Sequence, residues 1–166
     1  MIYADLAAGA TVFLDASPLI HHFEPNAAFG QASTEFLERI ENQEINGVTT
    51  THVVSEVAHS LRTIEAMQAF GWKSAGIALR LRNHPAEIRT LSRFRQAVQE
   101  IPLFNVRILT IDPAWLDAAA ALSQQSGLLH NDALILAAMQ GHGLTNLASA
   151  DADFDRVAGI NRFAPV

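Results

Sequence analysis

Three alternating aspartates stand out near the end of the chain, in "ASADADFDR" (148–156), because only 17% of the residues are charged. Alternating aspartates open calcium-binding loops, but such a loop needs Gly at position six and Glu at position twelve. Counted from Asp151, those positions hold Arg156 and Arg162. The spacing therefore argues against a calcium loop. A polar turn, with Asp153 or Asp155 capping a short helix at 154–158, is the simpler interpretation of those two residues.

Three other acidic residues lie next to apolar segments, where burying a carboxylate would cost free energy. Asp15 ends the apolar run "TVFLD", where it could be a catalytic ligand or only the cap of a helix that contains Pro18. Glu56 sits at the margin of an apolar helical stripe, where it could equally be a surface residue. Asp132 opens the almost wholly apolar "NDALILAAM", where the helix dipole alone would favour it.

Alternating strand and helix patterns predict the elements that must position these residues. Strands are predicted in "TVFLD", 47–50, "NVRILTID", "TNLAS" and, at an edge, "NRFAPV". Helices are predicted from Pro18, at 27–45, at Thr51–Phe70, at 113–127 and at 131–143 with Asn131 as the cap. A helical hairpin is predicted at 73–83 and 86–100, broken at "NHPAE". The pattern is that of a single α/β domain over residues 1–166, with a mainly parallel sheet of four to five strands and helices on both faces.

The carboxyl ends of parallel strands meet at one edge of a sheet, and ligands bind outside that edge. Asp15 and Asp151 each follow a predicted strand, and Glu56 and Asp132 lie in the first turns of helices that follow or precede strands. The four carboxylates are therefore expected to converge, and their repulsion would call for cations. Oxygen ligands without His or Cys suit Mg²⁺ or Mn²⁺ rather than zinc.

Composition narrows the class of protein further. The formal charge is −6 and no cysteine is present, so a wholly basic nucleic-acid binder, a disulfide scaffold and a thiolate zinc site are excluded. The first residues lack a basic segment followed by an apolar run, and no stretch is long and apolar enough to span a membrane. We therefore expect a cytoplasmic protein with no membrane partner.

Four motifs, in order, resemble those of the PIN-domain ribonucleases, and especially the VapC-type toxins of bacterial toxin–antitoxin pairs: "FLDAS", "VVSEVAH", "HNDALILAAM" and "LASADADFDRV". They span residues 13–157. The resemblance implies a PIN-like three-layer α/β/α fold with a variable helical arm at about 72–104. It also places Ser17 where many relatives have Asn, and Ser149 where Thr is commoner.

The resemblance implies that Asp15, Glu56, Asp132 and Asp151 bind one or two Mg²⁺ or Mn²⁺ ions per chain and cleave RNA by hydrolysis, leaving a 5′-phosphate and a 3′-hydroxyl. Asp153 would be an auxiliary ligand. Ser17, Ser149 and Asn131 would hold the carboxylates in place. A small antitoxin whose peptide occupies the acidic groove, and a homodimer, are the implied partners.

Five arginines in the predicted hairpin could contact RNA phosphates beside the site, or could form salt bridges on an exposed helix face: Arg80, Arg82, Arg89, Arg93 and Arg95. Two other functions remain open at this point. One is a PIN-like binding scaffold without catalysis. The other is a Mg²⁺-dependent aspartyl phosphatase or phosphotransferase, because "FLDAS" also resembles a strand-end nucleophile. That family needs a late lysine, whereas Lys73 is the only lysine here.

Overall fold

A computed structural model describes residues 1–24 and 27–166. Its centre is a sheet of five parallel strands, β1 (Thr11–Leu14), β2 (Asn46–Thr50), β3 (Arg107–Leu109), β4 (Asn146–Ala148) and β5 (Asn161–Phe163). The helices are α1 (Ala16–Phe23), α2 (Gly30–Glu41), α3 (Thr51–Phe70), α4 (Ile77–Asn83), α5 (Pro85–Ile88), α6 (Arg93–Glu100), α7 (Pro113–Ser126) and α8 (His130–Gly141). Short 3₁₀ helices cover Tyr3–Asp5, Ile101–Phe104 and Ala152–Arg156. The predicted α/β fold with a parallel sheet is confirmed.

The strand order β3–β2–β1–β4–β5 contains one reversal of direction. The chain starts at the central strand β1 and moves outward to β2 and β3. It then returns to place β4 on the other side of β1, with β5 at the far edge. The carboxyl ends of β1 and β4 therefore lie side by side at the point where the sheet reverses. In open α/β sheets this is the position at which ligands bind.

Apolar side chains explain why the sheet is buried between helices. The residues Val12, Phe13 and Leu14 of β1 are fully buried, as expected for a central parallel strand. On the helical side, α1, α2, α3 and α6 pack together, and α7 packs against α8 as a second group. Seven consecutive residues of α8, from Ala133 to Met139, are buried. The almost continuous apolar sequence of that helix is thus accounted for by contact on all sides.

The predicted ends of α3 are confirmed. The Thr50 side chain accepts a hydrogen bond from Val53 N at 3.3 Å and caps the amino end of the helix. Gly71 follows the last residue with φ of 64°, a left-handed conformation that favours glycine and stops the helix. This helix begins directly after β2, so its first turns lie at the carboxyl edge of the sheet.

The helix predicted at 27–45 is shorter in the structure, at Gly30–Glu41. The turn that follows it contains Gln43 with φ of 59°, which is incompatible with a continuing helix. Backbone N–H groups of Glu44 and Ile45 both donate to the carbonyl of Arg39 and close this turn. The apolar spacing beyond residue 41 therefore belongs to the turn and the start of β2.

The hairpin predicted at 73–83 and 86–100 is wrong in its number of pieces, because the structure has three short helices, α4, α5 and α6. The additional break lies between Ile88 and Arg93. There the Glu65 carboxylate of α3 accepts hydrogen bonds from the backbone N–H groups of Ser92 at 3.2 Å and Arg93 at 3.0 Å. A residue from another helix thus caps the start of α6. We call residues 72–104 the helical arm.

No helix within the described residues is both long enough and apolar enough to cross a membrane.

Candidate active site

The four predicted carboxylates lie at the carboxyl edge of the sheet. Asp15 follows β1 directly and is the N-cap of α1, and Asp151 lies three residues after β4 and caps the 3₁₀ helix Ala152–Arg156. Glu56 is in the second turn of α3, and Asp132 is the third residue of α8. Segments from the two ends of the chain therefore contribute to one region.

Asp15 is held at both carboxylate oxygens and is only 9% exposed. Its Oδ1 accepts a hydrogen bond from Ala16 N at 2.6 Å. Its Oδ2 accepts from the hydroxyl of Ser149 at 2.7 Å and from that of Ser17 at 3.2 Å. These bonds compensate for part of the cost of burying the carboxylate and fix its orientation.

The two serines also connect Asp15 to the loop that carries Asp151. The hydroxyl of Ser149 accepts a hydrogen bond from Asp151 N at 3.0 Å, and that of Ser17 accepts from Ala150 N at 2.9 Å. Each hydroxyl therefore donates to Asp15 and accepts from the loop after β4. The structure thus places Ser17 and Ser149 between the ends of β1 and β4.

Burial and then charge repulsion raise the pKa values of Asp15, Glu56 and Asp132. The pKa of Asp132 is raised to about 6, first by burial and then by the charges of Asp151, Asp15, Glu56 and Asp153 in that order. Burial, followed by the charge of Asp15, raises the pKa of Glu56. Burial also raises the pKa of Asp15, against the hydrogen bonds from Ser149, Ala16 and Ser17 and with the charge of Asp151. Asp132 is therefore within electrostatic range of the other three carboxylates, and Asp15 is within range of Glu56 and Asp151.

The predicted cap of α8 is wrong. The N-cap of that helix is Leu129, which makes no side-chain capping bond, and Asn131 is the second helical residue with an exposed side chain. The Ala133 N–H donates to the carbonyl of Leu129, so the helix begins one residue earlier than predicted. The earlier start leaves Asp132 in the first turn.

The three alternating aspartates have different partners in the structure. Asp151 Oδ1 accepts a hydrogen bond from Asp153 N at 2.8 Å, so Asp151 caps the short helix. The predicted caps, Asp153 and Asp155, are wrong, and the helix lies at Ala152–Arg156 rather than at 154–158. Asp153 is exposed and forms an ion pair with Arg156 at 2.7 Å. Asp155 forms a two-point ion pair with Arg162, with both distances 2.7 Å.

Arg162 is a positioning residue that the sequence did not reveal. Besides binding Asp155, its Nη1 donates to the carbonyl of Ser149 at 3.1 Å, so it ties β5 to the loop that carries Asp151. The Asp155 carboxylate holds the pKa of the Arg162 guanidinium above its usual range. Asp155 lies in a 3₁₀ helix and Arg162, seven residues later, lies in a strand. The pair therefore follows neither a helical nor a strand periodicity in the sequence.

His21 is a second neighbour that the sequence did not indicate. Burial lowers the pKa of this imidazole, and the charge of Asp15 opposes that shift, so the ring lies within electrostatic range of the site. Its Nδ1 is buried without a hydrogen-bond partner among the described residues. A helical position six residues after Asp15 gives no signal of this proximity.

Two groups can be distinguished among the arginines of the helical arm. Arg93 is bound to α3 and to the residue that follows α1, since its Nη1 contacts Gln68 at 3.1 Å and Glu24 at 2.5 Å. The other four are exposed and form no ion pair with the described residues: Arg80, Arg82, Arg89 and Arg95. Trp72 packs against Phe70 and His84 in a small apolar cluster of the arm.

The donor set is suited to a hard divalent cation, because it consists of carboxylate oxygens only. Within residues 1–24 and 27–166, no three His, Cys, Asp or Glu side chains form a ready-made metal site. The pKa of Asp132 is raised first by burial and then by repulsion from the neighbouring carboxylates, and a bound cation would relieve that repulsion. Open oxygen sites fit Mg²⁺, which retains several of its own waters when bound.

The fold is a parallel sheet flanked by helices, and acidic side chains gather at its carboxyl edge, where the strand order reverses. The PIN-domain family model matches residues 12–160. The chain therefore belongs to the PIN-domain family.

Solved structures with the same fold include proteins of toxin–antitoxin systems. VapC20 of Mycobacterium tuberculosis, a toxin that cleaves the sarcin–ricin loop, superposes with a TM-score of 0.61 at 15% identity, covering 87% of this chain and 92% of its own. The VapBC2 complex of Rickettsia felis, bound to a promoter DNA fragment, gives 0.56 at 13% identity, with coverage of 94% and 99%. A toxin–antitoxin complex of Klebsiella pneumoniae gives 0.54 at 18% identity, with coverage of 90% and 95%.

The TM-scores of 0.54–0.61 establish a shared fold. No curated protein matches the sequence.

Proposed function

We propose that residues 1–166 act as one PIN domain that hydrolyses RNA phosphodiesters with Mg²⁺ or Mn²⁺, and that the protein is the toxin of a toxin–antitoxin pair. The observation that carries the nuclease proposal is the gathering of Asp15, Glu56, Asp132 and Asp151 at the carboxyl edge of the sheet, where the charges of the other three all raise the pKa of Asp132. Four carboxylates are costly to gather unless they bind cations. PIN-domain nucleases generally use divalent metal ions.

In this proposal Asp15, Asp132 and Asp151 hold the cation, and Glu56 binds it or orients water. Asp153 is an auxiliary ligand, while Ser17 and Ser149 hold Asp15 in place. A bound divalent ion supplies Lewis-acid stabilisation of charge on the phosphate and lowers the pKa of water. The hydrogen bonds from Ala16, Ser17 and Ser149 would keep the Asp15 carboxylate in the orientation in which it holds the ion.

The toxin assignment is supported by the solved structures of similar fold, which include a toxin that cleaves the sarcin–ricin loop and two toxin–antitoxin complexes. A partner requires an exposed apolar surface. Val54 and Ala58 of α3, Val98 of α6 and Ile108 of β3 line such a groove, and Val98 is 43% exposed. An antitoxin segment and a second copy of the chain are the partners we propose for the protein.

The phosphotransferase alternative is disfavoured by the position of its required lysine. Lys73 lies beyond Phe70, at the end of α3 that is remote from the sheet edge. Glu56 and Phe70 are separated by about 21 Å along the helix axis, at 1.5 Å per residue. The lysine therefore lies far from Asp15.

The deciding experiment is cleavage of a mixed RNA pool by purified protein with Mg²⁺, compared with Asp15→Asn and with Asp117→Asn as a charge-matched control on α7. We expect the wild type and Asp117→Asn to cut and Asp15→Asn to lose activity with unchanged circular dichroism. EDTA should abolish cleavage, and end mapping should give 5′-phosphates. Equal cutting by wild type and Asp15→Asn would refute the site. A folded wild type that cuts no RNA would favour the scaffold function.

A further inference from the structure

A small cavity lies between α3 and the helical arm, outside the acidic site. It has a volume of about 230 Å³ and is lined by His59 and Arg62 of α3, Ala78, Leu81 and Arg82 of α4, and Ile88 of α5. We call it the α3–arm cavity. Three of its six lining residues carry nitrogen donors, and none of the described residues that line it is acidic.

The guanidinium of Arg62 is only partly satisfied. Its Nε is buried and has no hydrogen-bond partner among the described residues. A buried donor without an acceptor costs free energy, and natural structures retain few of them. Arg82 is exposed and forms no ion pair with the described residues. Two guanidinium groups at one cavity thus lack an anionic partner within the described part of the chain.

The hydrogen bond between Arg62 and His59 adds a third donor. Arg62 Nη2 lies 3.0 Å from His59 Nδ1, and because arginine can only donate, His59 Nδ1 is the acceptor. The proton of the neutral imidazole is therefore on Nε2, which can donate to a ligand. The apolar side chains of Ala78, Leu81 and Ile88 complete the lining, and a partly apolar surrounding strengthens charge-assisted hydrogen bonds.

The cavity lies beyond the acidic site along α3. Glu56, His59 and Arg62 are spaced by three residues and form one ridge that winds around α3, with Arg62 turned by about 120° from Glu56. At 1.5 Å per residue, His59 and Arg62 lie roughly 5 and 9 Å along the helix axis from Glu56. A strand of nucleic acid that places one phosphate at the carboxylates can therefore place a neighbouring phosphate at this ridge.

We propose that the α3–arm cavity binds a backbone phosphate of the RNA substrate through Arg62, Arg82 and His59, a few nucleotides from the bond that is cleaved. The inference rests on the proposed nuclease function and extends it to residues on α3. It gives an acidic protein of net charge −6 a local cationic contact for a polyanion. Arginine forms two-point hydrogen bonds with phosphate oxygens, which suits this role.

The test measures RNA binding separately from RNA cleavage. Fluorescein-labelled RNA from the mixed pool is titrated with Asp15→Asn protein, and the Kd is measured by anisotropy between about 50 and 200 mM salt, the range over which phosphate contacts change affinity most visibly. Arg62→Gln and Arg82→Gln are added to this background, with Arg107→Gln as the matched control. Arg107 is exposed, is the first residue of β3 and does not line the α3–arm cavity.

We expect each cavity variant to weaken binding about tenfold, as for the loss of a charge-assisted hydrogen bond. The slope of log Kd against log salt should fall by about one for each lost phosphate contact, and Arg107→Gln should change neither quantity. Because Arg82 is exposed, Arg82→Gln tests the proposal even if Arg62→Gln fails to fold.

The proposal is overturned if Arg82→Gln binds RNA with the Kd and salt slope of Arg107→Gln. Loss of binding to an antitoxin peptide, with RNA binding intact, would also overturn it and assign the cavity to that partner. Cleavage by the protein with Asp15 intact decides the nuclease function independently. A cutting enzyme whose cavity variants behave like the control would retain the function and lose only the subsite.

Discussion

At the scale of single residues, the site depends on Ser149 as much as on the carboxylates. This fully buried hydroxyl donates to Asp15 and accepts from the backbone of Asp151, so one side chain joins the ends of β1 and β4. The sequence indicated Ser149 only through its place in a motif. Its two bonds depend on how the strands pair, which no local pattern reveals.

Replacement of Ser149 should therefore be costly. We expect Ser149→Ala to lower the free energy of unfolding by about 1–3 kcal/mol, because it leaves a buried carboxylate and a backbone N–H with fewer partners. Urea denaturation measures this. Ser33 is the matched control, since it is fully buried and its hydroxyl has no partner among the described residues. Ser33→Ala should be neutral or stabilising, and equal losses in the two variants would contradict the role of Ser149.

Asp132 gives the protein a pH dependence with a definite sign. Its pKa is about 6 in the folded protein and 3.8 ordinarily, so the folded state holds this proton more tightly than the unfolded chain. The contribution of Asp132 to stability is therefore greatest below pH 3.8 and is lost as the pH rises through about 6.

In EDTA, Asp132→Asn should consequently melt at a higher temperature than the wild type at about pH 7.5, and the difference should shrink towards about pH 4. Scanning fluorimetry across this range provides the measurement. Asp117→Asn, on the exposed surface of α7, is the control because Asp117 does not contribute to the raised pKa of Asp132. A difference between Asp132→Asn and wild type that is constant with pH would show that repulsion at the site is negligible.

At the scale of elements, sequence patterns succeed where the determinants are local. The limits of α3 follow from Thr50 and Gly71, which are adjacent to the helix. The start of α6 in the helical arm does not follow from adjacent residues, because Glu65, which caps it, lies 27 residues earlier in the chain than Ser92. The placement of Asp15 and Asp151 was predictable, since parallel strands bring their carboxyl ends together. The contacts of Arg162 with Asp155 and Ser149 were not predictable, because they depend on the position of β5 in the sheet.

The contact between β2 and α2 depends on the absence of a side chain at Gly47. A Cβ there would lie 2.8 Å from Ile40 Cγ2 and 3.0 Å from Ile40 Cδ1. We expect Gly47→Ala to destabilise the protein by about 1–3 kcal/mol, as overpacking does. Ile40→Ala removes both contacting atoms, so the double variant should lose less free energy of unfolding than the two single losses combined.

The control for this cycle is Gly127→Ala. Gly127 has φ of 70°, and no heavy atom lies within 4 Å of the position that an added Cβ would occupy, so the cost of this substitution is one of backbone conformation. Its loss of stability in denaturant titrations should simply add to that of Ile40→Ala. If the losses of free energy of unfolding were also additive for Gly47→Ala and Ile40→Ala, the added methyl group would not clash with Ile40.

At the scale of the whole molecule, the proposed cation is a ligand of the folded state alone, because only folding brings β1, α3, α8 and the loop after β4 together. Mn²⁺ at about 100 times its Kd should add about 2.7 kcal/mol of stability. For a chain of this size that corresponds to a rise of about 5–10 °C in Tm. Thermal melts of the wild type, with and without Mn²⁺ in place of EDTA, measure it.

Asp15→Asn should show little of this rise, whereas Asp117→Asn should show all of it. An identical rise in the wild type and Asp15→Asn would place the cation elsewhere on the acidic surface. An unchanged wild-type Tm would remove the metal from the proposed chemistry.

The pairing of β1 with β4 also bears on when the acidic centre exists during synthesis. Residues 13 and 14 pair with residues 147 and 148, so β1 cannot pair with β4 until β2, β3 and the helices between them have been synthesised. Contacts between such distant segments form late in folding. A ribosome releases the chain from its amino end, and a nascent chain that still lacks Ser149 and Asp151 cannot complete the centre. The order of translation therefore delays completion of the acidic centre until Ser149, 134 residues after Asp15, and then Asp151 have been synthesised.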